Sequence, residues 1–284
     1  MEHSFYEEIH RAKRDAPYID TEMTDIQYCA HYHEELEIVV LLDGVVRLTV
    51  DGQCTELHTG DIAVVRPFQI HSLETIEHSQ LYILKILSTL FDFSAVERDR
   101  SVLSPQEVGY QEIADSIQQL IDEDRLSEEL PLKRLALRTA TDGLLLRLAR
   151  LPGVRPVTQD SMLAHDRDIE LLKTLNEYLA EHYQDVISLE DAAAVCHMSL
   201  YYFAHFFKRV TGTTFLSYLN GYRLEQVKHR VVESEDSFTT IAMQCGFPSI
   251  RTFNRCFQKL YKLTPTEARN RWRREGHIEE HMEE

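Results

Sequence analysis

Four polar side chains in the second half of the chain share one hydrogen-bonding capability and one helical spacing. Arginine, asparagine and glutamine can make paired hydrogen bonds to guanine or adenine edges in the major groove of DNA. Residues at i, i+3, i+4 and i+7 lie on one face of a helix. The residues with this spacing are Arg251, Asn254, Arg255 and Gln258. The pattern predicts a helix face that reads base edges.

A related face occurs fifty residues earlier, at Tyr201, Ala204, His205 and Lys208. Tyrosine and histidine supply contact area and single hydrogen bonds, and Ala204 suits contact with a thymine methyl group. We therefore predict a weaker base reader here than in the later helix.

Both faces belong to one repeated template. Serine opens each copy as a helix N-cap, and phenylalanines follow four and eight residues later. The equivalent residues are Ser199, Phe203 and Phe207 in the first copy and Ser249, Phe253 and Phe257 in the second. Short Ala-containing segments, LEDAAAVC and TTIAMQC, precede the copies. A short helix, a tight turn and a second helix form a helix-turn-helix, so the sequence predicts two such motifs.

A solvated polar face is the simpler interpretation of either helix alone, but two equivalent faces favour DNA binding. Two recognition helices on one subunit are expected to enter successive major grooves, about 34 Å apart. The predicted DNA-binding residues are Ser199, Tyr201, Tyr202, His205, Lys208, Ser249, Arg251, Asn254, Arg255 and Gln258.

Charge is segregated along the 284 residues, whose formal net charge is −17. Residues 1–165 carry 15 Lys and Arg against 29 Asp and Glu, whereas residues 199–274 carry 13 against five, a net charge of +8. The tail, residues 275–284, has a net charge of −5. Because local charge determines the attraction to a phosphate backbone, the acidic total does not exclude DNA binding.

The remaining pattern predicts a β-rich half and a helical half. Short apolar runs over residues 25–87 are interrupted at Asp43-Gly44, Asp51-Gly52 and Gly60-Asp61, which favours antiparallel strands joined by hairpins. Helical periodicity begins near residue 105. Leucines seven residues apart, at 137, 144 and 151, are compatible with a dimer contact or with an internal core, and we favour the dimer contact. The polar, Pro- and Gly-containing stretch after them predicts a linker.

The length of the chain, 284 residues, suits two domains. The sequence contains neither an apolar run of eighteen residues nor the apolar core of a signal peptide. We expect a cytoplasmic protein. The five cysteines lack CxxC spacing and are interpreted as free, mostly buried thiols.

The helical half resembles the DNA-binding domain of AraC-type transcriptional regulators over about 100 residues. The resemblance rests on the FK-x-x-x-G-x-x-F-x-x-Y-L-N-x-x-R run ending at Arg223, on I-A-x-x-x-G-F from Ile241, and on T-P-x-x-x-R from Thr264. It implies seven helices, a long connecting helix opened by Arg223, and base contacts from Tyr201, His205, Arg251, Asn254 and Arg255. Three departures from the family pattern are Lys262 and His197, where glycine is usual, and Ala268, where tyrosine is usual.

The β-rich half resembles a cupin barrel. The pattern H-x-H-x3-E-x6-G fits His31, His33, Glu37 and Gly44, and GDIAVVRPFQIH supplies His71. In a continuous strand, residues 31, 33, 35 and 37 share one face. The resemblance implies that His31, His33, Glu37 and His71 form an effector-binding or metal site. Pro67 and His71 are four residues apart rather than five, and Gln69 replaces the usual Gly, which leaves the direction of His71 open.

Three interpretations of that site stay open: a small polar effector, which we favour, a divalent metal, or a structural role. Imidazole and carboxylate ligands suit Zn, Ni, Fe or Mn about equally. The adjacent acidic residues Glu34 and Glu35 are interpreted as solvated.

Together these patterns predict a multidomain, dimeric protein without catalytic residues. Its expected parts are an all-β cupin-like barrel (1–95), a helical dimerisation segment (96–155), a linker (156–165), an all-α double helix-turn-helix domain (166–274) and an acidic tail (275–284). The expected function is sequence-specific transcriptional regulation under a small-molecule effector, for which carbohydrate is a common class in the family. RNA polymerase is a further expected partner. The alternatives are a metal-sensing regulator and a metal-dependent cupin enzyme with an appended helical domain.

Overall fold

A computed structural model describes residues 18–24, 26–86, 93–98, 100–125, 132–234, 236–261 and 263–270. The acidic tail and Lys262 lie outside these residues. Two compact units are present, with their boundary between Glu170 and Leu171. Each unit is described in turn below.

The first unit is built on antiparallel strands, as the sequence predicted. The strands are β1 (Tyr18–Thr24), β2 (Gln27–His31), β3 (Leu36–Val50), β4 (Gln53–His58), β5 (Ile62–Val65), β6 (His71–Ile86), β7 (Val96–Glu97), β8 (Val102–Leu103) and β9 (Arg155–Pro156). Seven of them form one sheet in the order β1-β6-β3-β5-β8, with β2 paired to β6 and β4 paired to β3. Strands β7 and β9 form a separate two-stranded ribbon.

Two Asp-Gly pairs in this unit have different structures. Asp51 and Gly52 both have positive φ, 47° and 78°, and join β3 to β4 in the predicted two-residue hairpin. The hairpin predicted at Asp43-Gly44 is wrong, because β3 continues through it with register shifts against β6. A Cβ atom on Gly44 would lie 1.6 Å from the carbonyl oxygen of His78. This glycine therefore permits the close approach of two strands.

Both faces of β3 contribute to apolar cores. Val39, Leu41 and Leu48 pack in one cluster within the sheet. Leu36 and Ile38 pack in a second cluster, together with side chains from two helices. Burial on both faces explains why the apolar runs of this strand do not alternate strictly.

The two helices of the first unit are α1 (Tyr110–Asp124) and α2 (Lys133–Ala149). Their shared core contains Leu137, Leu144 and Leu151, which are 3%, 0% and 8% exposed. The interpretation of this leucine series as a dimer contact is wrong. These side chains fill the core between the helices and the sheet, where a second subunit cannot reach them.

The second unit is helical, as predicted. Its helices are α3 (Gln159–His182, which starts before the unit boundary), α4 (Leu189–Val195), α5 (Leu200–Thr211), α6 (Phe215–Glu233), α7 (Phe238–Gln244) and α8 (Ile250–Tyr261), and residues 265–270 are also helical. Together these give the seven helices that the family resemblance implies. Helix α3 begins inside the predicted linker, so residues 159–165 are helical.

Two smaller predictions concern cysteines and membranes. Cys196 and Cys245 are buried thiols, and burial raises the pKa of each to about 11. Cys54 is exposed, Cys256 is half-buried, and the side chain of Cys29 lies outside the described ones.

Among the described helices, none combines the length and the apolar character that crossing a bilayer requires.

Candidate functional site

The first helix-turn-helix consists of α4 and α5. Ser188 and Asp191 form a capping box at the start of α4, in which each side chain bonds the backbone N–H of the other residue. His197 follows the end of α4 with a left-handed φ of 53°. The amide groups of His197 and Met198 donate to Ala194 and Ala193, and this hydrogen-bond pattern is a Schellman motif. The Ser199 side chain then accepts from the Tyr202 amide and caps α5.

Helix α5 separates its apolar and polar faces as predicted. Phe203, Phe206, Phe207 and Val210 are buried. The opposite face is exposed, with Tyr201 and Tyr202 70% and 71% exposed. The rings of Tyr201 and His205 lie 4.4 Å apart, and Lys208 is exposed one turn further on. An aromatic pair next to a cation is well suited to lie along a DNA groove.

The second helix-turn-helix consists of α7 and α8. Ser237 caps α7, and Gly246 takes the left-handed position after that helix with a φ of 82°. The amides of Gly246 and Phe247 donate to Met243 and Ala242, which repeats the hydrogen-bond pattern of the first motif. The second turn is one residue longer before its capping serine, Ser249.

Helix α8 also presents the predicted polar face to solvent. Phe253 and Phe257 are fully buried against α6 and α7 residues. Arg251, Asn254, Arg255 and Gln258 are all exposed. Ser249 is half-buried, and its side chain accepts from the Thr252 amide. Nine of the ten predicted DNA-binding residues are therefore exposed, and two of the ten, Ser199 and Ser249, also cap their helices.

Arg223 has a role that the family resemblance did not predict correctly. Helix α6 begins at Phe215 behind the N-cap Thr214, so Arg223 lies within the helix rather than at its start. Its guanidinium is buried and donates to the carbonyl oxygens of Tyr183 and Asp185, at 2.8 and 2.7 Å. These bonds satisfy backbone groups at the end of α3 and fix α6 against them.

Three histidines and one glutamate converge in the first unit. One ligand atom from each of His31, His33, Glu37 and His71 lies within 4.8 Å of the other three. The strand is not continuous over these residues, because β2 ends at His31 and β3 begins at Leu36, with His33 between them. Convergence results from the connection between these strands. His71 starts β6 and joins the group, so the shorter spacing from Pro67 does not remove it.

Hydrogen bonds orient two of these imidazoles. His33 Nε2 lies 3.1 Å from Glu37 Oε2, and His33 Nδ1 lies 3.2 Å from the Glu35 carbonyl oxygen. His71 Nδ1 lies 2.8 Å from the Gln69 carbonyl oxygen. A carbonyl oxygen only accepts, so His71 Nδ1 carries a proton and its Nε2 faces the cluster.

Burial and neighbouring charge shift the ionisation of this cluster. Burial lowers the pKa of His31 well below its ordinary value. Burial also opposes protonation of His33, but hydrogen bonds to Glu35 and Glu37 outweigh it and raise the pKa of His33 to about 9. For Glu37, burial is outweighed by His71, His33 and Lys85, which hold its pKa well below the ordinary value. Glu37 is therefore an anion surrounded by potential cations.

The four side chains fit a divalent ion. Glu37 Oε1 and His71 Nε2 are buried, lie 3.5 Å apart, and have no hydrogen-bond partner among the residues that the structure describes. His31, His33, Glu37 and His71 would hold the ion, with ligand types found at Zn, Ni, Fe and Mn sites. A bound ion would act as a Lewis acid toward an oxygen atom of a second ligand.

Two buried charged residues at this site were not predicted from the sequence. Glu35 was expected to be solvated, but it is 3% exposed and its carboxylate lies 3.3 Å from His33. Lys85 is 8% exposed, and its Nζ lies 3.6 Å from Glu37 Oε2. A lysine within the apolar run LYILKIL was the available signal, because buried lysine side chains require a partner.

Comparisons with known proteins agree with both halves of this description. Residues 192–271 match a family model described as a helix-turn-helix domain, and residues 25–87 match a cupin domain. The HTH-type transcriptional activator RhaS of Enterobacter sp. (strain 638) is 26% identical over 260 residues, covering 88% of this chain and 91% of that protein. Among solved structures, ToxT from Vibrio cholerae is 13% identical with a TM-score of 0.48, over 90% of this chain and 98% of that one. The DNA-binding domain of AdpA in complex with a target DNA is 26% identical with a TM-score of 0.34, over 37% of this chain and 94% of that one.

A cupin domain followed by a helix-turn-helix domain defines this chain as a DNA-binding transcriptional regulator. Within that class, the two domains and the similarity to RhaS support an AraC-type regulator.

Proposed function

We propose that this regulator reads DNA through the exposed faces of α5 and α8. The observation that carries the proposal is the same division in both helices, with phenylalanines buried on one side and polar contact residues exposed on the other. In α8, Arg251, Asn254 and Arg255 provide base-specific hydrogen bonds. In α5, Tyr201 and His205 provide contact area, and Lys208 contacts phosphate.

Selection from random DNA with the purified full chain tests this proposal. We expect an enriched sequence with two elements about one helical turn apart. The variant Arg251→Ala/Arg255→Ala should lose selectivity in one element and retain it in the other. Lys173→Ala, an exposed charge on α3, serves as the matched control and should enrich the wild-type sequence. Absence of any enriched sequence, or equal loss in both elements, would contradict the assignment.

We further propose that the histidine cluster binds the small-molecule effector. The buried polar groups of Lys85, Glu37 and His71 suit a small polar ligand, and in the described part of the chain Glu37 Oε1 and His71 Nε2 form no hydrogen bond. Carbohydrate fits this chemistry through its hydroxyl groups. Ligand binding controls DNA affinity only if the protein has two conformations that bind the ligand with different free energies. The difference required is about 1–3 kcal/mol.

A metal-sensing regulator is the second candidate, because four ligand atoms lie within 4.8 Å. Two experiments distinguish this metal sensor from a regulator that binds an organic effector. They are metal analysis of the purified protein and DNA-binding titrations with Zn, Ni, Fe or Mn and with a chelator. A metal-dependent change in DNA affinity without any organic ligand would favour the metal sensor. A turnover screen tests the remaining alternative, a cupin enzyme, which the proposal excludes.

The proposed regulator acts in the cytoplasm as a homodimer, with RNA polymerase as a further partner. The dimer contact is assigned to the outward face of α2, where Leu135 and Leu146 are 62% and 51% exposed. Leu135→Glu/Leu146→Glu should halve the mass measured by light scattering. An unchanged mass would place the contact elsewhere.

A further inference from the structure

A cavity of about 60 Å³ lies in the first unit, between the sheet and the end of α2. None of the four cluster residues lines it, so it is distinct from the histidine site. Its apolar wall includes Phe93, Leu103, Leu148, Leu151 and Val154. Four of these side chains are at most 8% exposed, so the wall belongs to the packed core.

Arg66 is one of several polar residues at this cavity, together with Gln69, Glu97, Arg98, Arg100 and Ser101. Its Nη1 donates to the carbonyl oxygens of Val96 and Ser94, at 2.9 and 3.4 Å. Within the described part of the chain, Nε and Nη2 of Arg66 donate to no atom, and no carboxylate lies within 4.0 Å of its guanidinium. A half-buried guanidinium that lines a cavity and donates through only one of its three nitrogens is incompletely paired.

The nearest carboxylates are engaged elsewhere. Asp51 accepts from Gln69 Nε2 and from the Ile70 amide, at 2.8 and 3.1 Å. Glu97 pairs with Arg155 at 3.1 Å. Burial lowers the pKa of Arg66, and the charges of Asp51 and Glu97 oppose this shift in part.

The other two arginines at the cavity differ in availability. The guanidinium of Arg98 pairs with Glu107 and donates to the carbonyl oxygen of Val102. Arg100 is exposed and lines the cavity without such an ion pair. Two cations, Arg66 inside and Arg100 at the edge, are thus available to an anion.

We propose that this cavity binds a short-chain organic carboxylate. Arg66 pairs with the carboxylate through Nε and Nη2, since guanidinium and carboxylate match in a two-bond arrangement. The apolar wall encloses the alkyl part. An engineered cavity of about 150 Å³ holds benzene, so a cavity of this smaller volume admits only a few carbon atoms.

The proposal is tested by measuring propionate binding to the full chain with ligand-observed NMR. This experiment uses no DNA and is therefore independent of the proposed function. Propionamide is the neutral control of the same shape. We expect propionate to bind at millimolar concentration and Arg66→Met to weaken it at least about ten-fold, through loss of a charge-assisted pair. Ala149→Leu fills the cavity and should weaken binding while Arg66 remains. His31→Ala/His33→Ala should bind propionate normally.

Hydrogen exchange locates the site, because bound propionate should slow exchange in peptides covering residues 93–103. If Arg66→Met does not fold, propionate binding to Ala149→Leu tests the proposal instead. Equal binding of propionamide, or undiminished propionate binding to Ala149→Leu, would overturn the proposal. Loss of binding in a His31→Ala/His33→Ala variant that is folded, as judged by circular dichroism, would also overturn it, since the ligand would then occupy the histidine cluster.

Discussion

Replacing His197 by glycine is expected to stabilise the first helix-turn-helix. His197 has a φ of 53°, and a left-handed backbone costs a non-glycine residue about 1–2 kcal/mol. Glycine removes this cost but gains about 0.5–1 kcal/mol of conformational entropy in the unfolded chain. The imidazole is exposed, so its loss removes no buried contact. The net gain in the free energy of unfolding should be about 0.5–1 kcal/mol.

Hydrogen exchange of the full chain, followed by mass spectrometry, measures this gain locally. Peptides covering α4 and α5 should exchange about two- to five-fold more slowly in His197→Gly. His197→Ala is the matched control, because it removes the imidazole and keeps the strained backbone, and its exchange should stay near that of the wild type.

The second motif provides the opposite test. A Cβ atom on Gly246 would lie 2.5 Å from the Tyr183 carbonyl oxygen and 2.8 Å from that of Gln184. Gly246→Ala should therefore lose at least about 1–2 kcal/mol and accelerate exchange in α7 and α8. If His197→Gly and His197→Ala alter exchange equally, the effect belongs to the imidazole and the backbone reasoning fails.

Three further predictions concern DNA and ligand. Arg255→Ala should weaken specific binding by about 1–3 kcal/mol and relax the preference at one base pair, and unchanged selectivity in a binding-site library would contradict this. Lys208→Ala should weaken binding to all sequences alike and reduce the salt slope by about 0.9, as measured by titration at several salt concentrations; a loss confined to one sequence argues against a phosphate contact. His31→Ala/His33→Ala should remove the response to ligand while DNA binding without ligand persists, whereas an unfolded product, detected by circular dichroism, would support a structural role for the cluster.

Local patterns predicted the DNA-binding half well. The faces of α5 and α8 follow from helical periodicity alone, because phenylalanines four residues apart must share a buried side. The Asp51-Gly52 turn was predictable for a similar reason, since its conformation depends on two residues. The Asp43-Gly44 turn was not, because the close approach of β6 determines the structure there.

Features that depend on distant partners were harder to predict. The spacing of Leu137, Leu144 and Leu151 does not distinguish an internal core from a subunit contact, and packing against α1 decides the matter. Lys85 is buried because the fold brings it to Glu37, about fifty residues earlier in the sequence. Arg223 is similar, since its acceptors lie about forty residues away in the chain.

The buried ammonium group of Lys85 has a practical consequence for studies of metal dependence. With a lysine and an imidazolium beside it, the Glu37 carboxylate already has counter-charges built into the polypeptide. The domain therefore does not need a metal ion to neutralise that carboxylate. In this it differs from small zinc domains, which unfold when the zinc is removed. A chelator is therefore expected to leave this domain folded.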